Sequence, residues 1–294
     1  MSVRPVKQVI HPKPTLEGAG VRLQRGFGFG NTTEFDPFLL FDDFRNDNPA
    51  DFLAGFPWHP HRGIETITYV LKGTVEHGDS LGNRGSLGSG DVQWMTAGSG
   101  ILHQEMPKGD PEGKMHGFQL WANLPASLKM TRPRYQDVQG KDVPEVTDDD
   151  GTNVRIVCGE FWGKKGPVEG VAADPRYLDI SVPPRTRRHI PVESSRHAFA
   201  YVFAGSGTFR DASEPLAVRN ELMDDQYDLS NRSLVLFDSG DEIVVESGDD
   251  GIRFLLVSGR PIEEPVAWYG PIVMNTQAEL RTAMRELQLG TFIR

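Results

Sequence analysis

Apolar and polar residues alternate along most of this chain, in short runs rich in β-branched and aromatic residues and closed by glycine. The segments ETITYVLKG, GSGDVQWMTAG, MHGFQLWANL, NVRIVCGEFWG, RYLDISVP, HAFAYVFAGSGTF, SLVLFDSGDEIVVES and GIRFLLVSG all follow this rule. A period of two sends successive side chains to opposite faces of a pleated strand, so these runs predict strands. A helical pattern emerges only near the C-terminus. In NTQAELRTAMRELQLG, Thr276 stands where an N-cap belongs, Glu279 completes a capping box, and Gly290 can end the helix. Ala278, Leu280, Ala283, Met284 and Leu287 would form its buried stripe. The pattern predicts an all-β chain with one short C-terminal helix.

The strand pattern is interrupted once, by QGKDVPEVTDDDGTN at 139–153, which is polar, acidic and turn-rich and reads as a linker. The segments on either side share an order of features. TYVLKGTVEHGD (68–79) is similar to AYVFAGSGTFRD (200–211), and Ser89-Gly90-Asp91 and Ser239-Gly240-Asp241 each precede a further strand. This suggests a duplicated β-barrel unit. The expected division is 1–138, linker 139–153, and 154–294 with the helix in the second domain.

Composition narrows the function classes. The formal net charge of −10 would repel a phosphate backbone, so direct nucleic-acid binding is not expected. The basic run RTRRH (185–189) reads as a solvated loop. Cys158, the single cysteine, excludes an intramolecular disulfide and fits a reducing compartment. It lies in an alternating apolar run, where an inert core thiol is expected. No apolar run approaches the roughly 20 residues that span a bilayer, and MSVRPVKQVIHPKP has no apolar signal core. A cytoplasmic protein is expected.

The chemistry concentrates in two short motifs. His59 and His61, in FPWHPHRGIETITYVLKG, are two residues apart; so are His103 and Glu105, in GSGILHQEMP. Residues i and i+2 of an extended chain share a face. Two barrel strands that each turn two such groups inward would bring three imidazoles and one carboxylate to a point. That donor set suits one divalent transition metal and resembles the 2-His-1-carboxylate triad with an added histidine. Four protein donors leave two positions open on an octahedral ion, as a catalytic site needs. The donors alone do not choose among Fe, Mn, Co, Ni, Cu and Zn.

These segments resemble the two cupin motifs. With DPFLLFDDF (36–44), HGFQLWANLP (116–125) and EPVAWYGPIVMNT (264–276), the chain resembles the pirin family, whose members are bicupins of two jelly-roll β-barrels. The resemblance implies an iron site, most simply Fe2+, held by His59, His61, His103 and Glu105. Single cupins add a carboxylate from the first motif, here Glu65. Its parity matches that of His59 and His61 if no bulge intervenes at Arg62-Gly63, making it a fifth candidate donor or a supporting group. The second half lacks the set. Alignment of the halves places Pro191 and Glu193 at the His59 and His61 positions, Arg253 and Leu255 at those of His103 and Glu105, and only His197 near Glu65. One metal per chain is therefore expected.

His11, His77, His189 and His197 have no ligand-type neighbours in sequence and read as surface or satisfied residues. His116 lies in a family-like motif, structural or near the site. Phe56 and Trp58 flank the first motif and are candidates for a pocket mouth. The resemblance implies a quercetinase-type dioxygenase that cleaves flavonols with O2 and releases CO, with Glu105 as the base. It also implies an alternative of another class, an iron-binding, redox-sensitive regulator acting through protein partners. A sugar-phosphate isomerase would need converging basic residues, and Arg62 is the only one inside either motif.

Overall fold

Alternating, glycine-punctuated segments can bury one face only by pairing edge to edge and curling over a core, and this chain does so twice. The computed structural model describes residues 2–210 and 228–293. Almost all regular structure is antiparallel β-sheet, divided into two units.

The N-terminal unit comprises Lys13–Asp142, Gly170–Ala173 and the chain from Ile262 onward. Its larger sheet has seven strands, in the order Arg134–Val138, Val92–Thr96, Ile64–Lys72, His116–Asn123, Phe38–Asp43, Val21–Phe27 and Lys13–Glu17. The smaller sheet runs Phe56–His61, Ile101–Lys108, Thr74–Asp79, Arg84–Leu87. Apolar clusters fill the unit, one around Val21, Phe44, Phe52, Val70 and Val75, another around Leu39, Ile64, Met95, Ile101 and Val273. The C-terminal unit comprises the chain up to Pro12, Val143–Glu169 and Asp174–Pro261. It is built on a nine-stranded sheet around a core that includes Ile156, Leu178, Ala200, Phe209, Val235, Phe254 and Leu256.

The units are not contiguous halves, which corrects the expected 1–138 and 154–294 boundaries. Strand Val6–Ile10 pairs with Ser233–Phe237 of the C-terminal unit, covering an edge that would otherwise present unpaired backbone groups. The expected linker contributes a strand, Glu145–Thr147, whose residues pair with Arg155, Val154 and Asn153 of the next strand. The C-terminal helix, Gln277–Gln288, belongs to the N-terminal unit, where Leu280 and Ala283 bury against Ala267, Ile272, Met274 and Phe292. Its capping box forms as read: Thr276 Oγ1 accepts from the Glu279 amide at 3.2 Å, and Glu279 Oε2 from the Thr276 amide at 2.9 Å. Ala278 is exposed rather than part of the stripe. No helix among the described residues is long and apolar enough to cross a membrane.

Both Ser-Gly-Asp turns precede strands, Val92–Thr96 in one unit and Glu242–Gly259 in the other, but these are not counterparts: the second begins by pairing with Arg187–Pro191, as Ile101–Lys108 pairs with Phe56–His61. Asp211, the last residue of the second repeat segment, lies outside the described residues. Cys158 is buried, its Sγ directed at the Val168 carbonyl.

One turn fixes the site-bearing strands. Between Phe56–His61 and Ile64–Lys72 the chain bends at Arg62-Gly63 from the smaller sheet into the larger, with Gly63 at φ +77°. A Cβ there would lie 1.9 Å from the Val273 carbonyl oxygen, so both conformation and space require glycine. Gly63→Ala is expected to destabilise the protein by about 3 kcal/mol through strain and clash. Urea unfolding of metal-free protein measures this, and a change below about 0.5 kcal/mol, the level of a neutral surface substitution, would contradict it.

Candidate metal centre

The two motifs meet because their strands are hydrogen-bonded neighbours in the smaller sheet. The antiparallel register sets Ile101 opposite His61 and His103 opposite His59; a bulge follows, and Glu105 faces Phe56. The side-chain donor atoms of His59, His61 and His103 all lie within 4.8 Å of one another. His59 Nε2 and His61 Nε2 are 3.0 Å apart, and the ring centroids of His59 and His103 are 4.4 Å apart. Glu105 Oε2 is 3.8 Å from His103 Nε2. The structure thus brings His59, His61 and His103 together, with the Glu105 carboxyl beside His103.

Hydrogen bonding leaves donors available. His59 Nδ1 is 2.8 Å from the Pro57 carbonyl. A carbonyl only accepts, so the proton of neutral His59 sits on Nδ1 and the Nε2 lone pair faces the cluster. Neither ring nitrogen of His103 makes a hydrogen bond, although both are buried. Buried polar atoms without partners are costly, and a cation among them would use their lone pairs.

Electrostatics point the same way. Burial, then the neighbouring His103 and His59, holds the His61 imidazole well below its ordinary range. Burial, followed by His59 and His77, does the same to His103, with Asp79 opposing. Both rings are thus neutral, the form that ligates. Burial pushes the Glu105 carboxyl up, against the pull of His59 and the Thr68 hydroxyl. Thr68 Oγ1 lies 3.1 Å from Glu105 Oε1 and 2.9 Å from Gln119 Oε1, tying that carboxyl into a short polar chain.

Glu65 does not join the cluster. The Arg62-Gly63 bend breaks the parity that would have aligned it with His61. Thr68 reaches Glu105, and Glu65, three residues earlier in the same strand, projects from the opposite face. It is 1% exposed and accepts a hydrogen bond from Thr96 Oγ1 at 2.7 Å.

His77 was read as bland, yet it is buried directly across the sheet from Glu105. Its Nε2 is 3.0 Å from Gln93 Nε2, which also donates to Asp137. Lone in sequence, it carried no spacing signal; only the register of Thr74–Asp79 places it beside the site. His116 packs edge-on against Phe118.

A cavity of about 570 Å³ opens beside the cluster, lined by His59, His61 and Glu105. Phe56 and Trp58 line it, as their position suggested, and Trp58 is 53% exposed. Trp121, Trp268, Phe29, Leu23 and Leu40 add apolar wall from other strands. Trp121 stands perpendicular to the His61 ring at 5.2 Å. Gln119 is a polar group within this wall. Arg25, the only basic lining residue, is held by Asp42 at 2.8 and 2.7 Å and by Glu17 at 2.8 Å. A guanidinium already held by two carboxylates is poorly placed to bind a phosphate, which argues against the isomerase reading.

In the C-terminal unit the strand after Ser239-Gly240-Asp241 pairs first with Arg187–Pro191, as Ile101–Lys108 pairs with Phe56–His61, and Val245 lies opposite Phe209 as Glu105 lies opposite His77. Ile243 and Val245 therefore stand where His103 and Glu105 do, and Ile190 where His59 does, all of them core, which corrects the alignment with Arg253 and Leu255. Among the described residues, the three histidines of the N-terminal unit are the one metal-type cluster of this kind.

Two β-barrels, one of which carries a histidine cluster with a carboxylate beside it on paired strands, define the class of the bicupins. The chain belongs to the pirin family: residues 20–122 match the Pirin family model and 177–293 that of the Pirin C-terminal cupin domain. It is 43% identical to a pirin-like protein of Caulobacter vibrioides over 293 residues, covering 99% of this chain and 100% of that protein. It is 41% identical to a Pseudomonas aeruginosa protein named “Putative quercetin 2,3-dioxygenase”, covering 94% of each. Among solved structures, quercetin 2,3-dioxygenase from Acinetobacter baumannii superposes with a TM-score of 0.85 at 29% identity, covering 99% of each chain. A bacterial pirin from Escherichia coli in complex with nickel(II) shares the fold, with a TM-score of 0.64 at 20% identity, covering 86% of this chain and 99% of that one.

The lowered affinity of His61 and His103 for protons has a stability consequence. Unfolding exposes both rings and returns them to about pH 6.5. Below that pH the unfolded chain binds the extra protons, so their contribution to folded stability falls as pH falls. The stability gap between metal-free wild type and a His61→Asn/His103→Asn variant should shift against wild type from pH 7 to 5. The slope is up to about 1.4 kcal/mol per pH unit per histidine. Denaturant unfolding across that range measures it, and a pH-independent gap would contradict the assigned electrostatics.

Proposed function

We propose that the protein is a metal-dependent dioxygenase that opens the central ring of flavonols such as quercetin with O2 and releases CO. The observation that carries this reading is the placement of His59, His61 and Glu105 in the lining of an aromatic-walled cavity. A cluster built only for stability would gain more from filled apolar packing than from buried, unpartnered imidazoles. His59, His61, His103 and Glu105 would hold one divalent transition metal per chain, with Fe2+ the ion proposed and Mn, Co, Ni, Cu and Zn as ions the same donors accept. When bound, that ion supplies Lewis acidity and a template for substrate oxygens.

The protein's own part is to bind, orient and move a proton. Trp58, Trp121 and Trp268 offer flat apolar faces to a planar aromatic substrate. Glu105 Oε takes the proton of the flavonol 3-hydroxyl, and burial, which raises its affinity for protons, suits it to that role. Thr68 and Gln119 hold the carboxyl in the cavity. The 29% identity and near-complete overlap with the Acinetobacter baumannii quercetin 2,3-dioxygenase support the same substrate class. One observation favours the alternative of a redox-sensitive regulator. Phe29, 76% exposed, and Trp58 form an apolar rim that would also seat a protein partner.

Anaerobic reconstitution with each metal, followed by O2 uptake and CO detection over a flavonol panel, separates the readings. Expected are up to one metal per chain, turnover of quercetin, and arrest by a chelator. Absence of flavonol consumption with every metal would overturn the enzyme reading in favour of the regulator. Glu105→Gln keeps an oxygen donor and loses basicity, so turnover should fall by about 100-fold or more with metal content largely kept. A metal-replete, fully active Glu105→Gln variant would remove Glu105 as the base.

A further inference from the structure

We infer that the C-terminal tail is part of the metal-binding apparatus, with Arg62 and Phe292 as positioning residues that set His61 and His103, so that tail docking and metal occupancy are coupled. Arg62 follows His61 directly and is 2% exposed. Its guanidinium is held by the tail: Nη1 pairs with Glu286 Oε2 at 2.7 Å, Nη2 donates to the Phe292 carbonyl at 2.8 Å, and the group lies 4.0 Å over the Phe292 ring. A buried cation cannot lose such partners without moving toward water. Moving Arg62 moves the turn that ends the His61 strand.

That strand needs outside support. Phe56–His61 is at the edge of its sheet, hydrogen-bonded on one side only, and carries two prolines. The C-terminal segment holds its far end: the Val273 amide donates to the Arg62 carbonyl at 3.0 Å, and Ile272 bridges to Arg62 in parallel register. Lys129 Nζ, also buried, donates to the Gly63 carbonyl at 2.9 Å.

Phe292 reaches the second metal strand as well. A Cβ on Gly100 would lie 2.9 Å from the Phe292 ring and 3.0 Å from its carbonyl, so the tail rests against the turn that leads to His103. Leu102, the neighbour of His103, packs into the same cluster as Phe292 and Leu280. The tail thus touches a residue adjacent to a candidate ligand on each strand, yet lines no part of the cavity. Its effect is on the spacing of the imidazoles. Linkage then requires reciprocity: whatever factor tail docking adds to metal affinity, metal adds to tail docking.

The inference rests on the metal reading and not on the substrate. The test titrates metal-free, full-length protein with Ni2+ and Co2+ in wild type, Phe292→Ala, Phe292→Tyr and a chain ending at Thr291. Affinity should weaken at least tenfold in Phe292→Ala and in the shortened chain, and stay within about threefold of wild type in Phe292→Tyr, which keeps ring and carbonyl. Leu289→Ala, at a position 69% exposed, serves as the unchanged control. In unaltered protein, metal should slow amide hydrogen exchange across residues 286–293 by a comparable factor. Folded variants with wild-type affinity would overturn the inference, as would tail exchange indifferent to metal. The exchange measurement decides alone if Phe292→Ala does not fold. Failure of wild type to bind either ion would instead refute the metal reading itself.

Discussion

The site depends on one cross-strand pairing, His103 opposite His59 in the sheet that joins Ile101–Lys108 to Phe56–His61. A shift of one residue would turn every side chain of a strand to the other face. The pair on the slipped strand, His59 with His61 or His103 with Glu105, would then leave the cluster together. The register is therefore what converts two i, i+2 motifs more than forty residues apart in the chain into three ring donors within 4.8 Å. The bulge puts its extra residue between Phe56 and His59, while His103 and Glu105 keep a regular ladder against Thr74–Asp79, and the Arg62-Gly63 bend ends the histidine strand and sets Glu65 on the opposite face. Each irregularity lies where a regular ladder would have misplaced a side chain.

The two barrels show what the scaffold alone provides. Each has an apolar core, and among the described residues a metal-type histidine cluster occurs in one of them. Where the N-terminal unit gathers His59, His61 and His103, the C-terminal unit packs Ile190, Val192, Ile243 and Val245 into its core. Apolar side chains need no polar partner there. The buried ring nitrogens of His103 find none, and their cost is what an ion would relieve.

Much of this was legible in the chain because it follows from local rules. HAFAYVFAGSGTF forms strand His197–Phe209 over its full length, and the Thr276–Glu279 capping box starts the helix. The paired i, i+2 spacing singled out all four cluster residues. What was illegible depends on tertiary pairing. FPWHPH carries two prolines and no alternation, and it is a strand because prolines are tolerated at a sheet edge. SLVLFDSGDEIVVES and GIRFLLVSG read as separate segments, but the second part of the former and all of the latter form one strand, Glu242–Gly259. His77 reaches the site from another strand and had no motif to mark it, while Gln119 and Trp268 lie in family-like segments whose spacing does not tell which side chains meet the site. The swapped ends of the units likewise follow from an edge to be covered and a helix face to be buried, neither of which has a local signature.

The fold is a frame that holds three imidazoles and one carboxylate beside an aromatic-walled cavity. The most direct test of this arrangement is X-ray absorption at the metal K edge of protein loaded with one equivalent of Fe2+ under anaerobic conditions. The expected spectrum is a six-coordinate ion with three imidazole nitrogens, a carboxylate oxygen and further light-atom donors from solvent, two of them replaced when a flavonol is added. An ion without histidine scattering, or a closed four-coordinate site unaffected by flavonol, would contradict it.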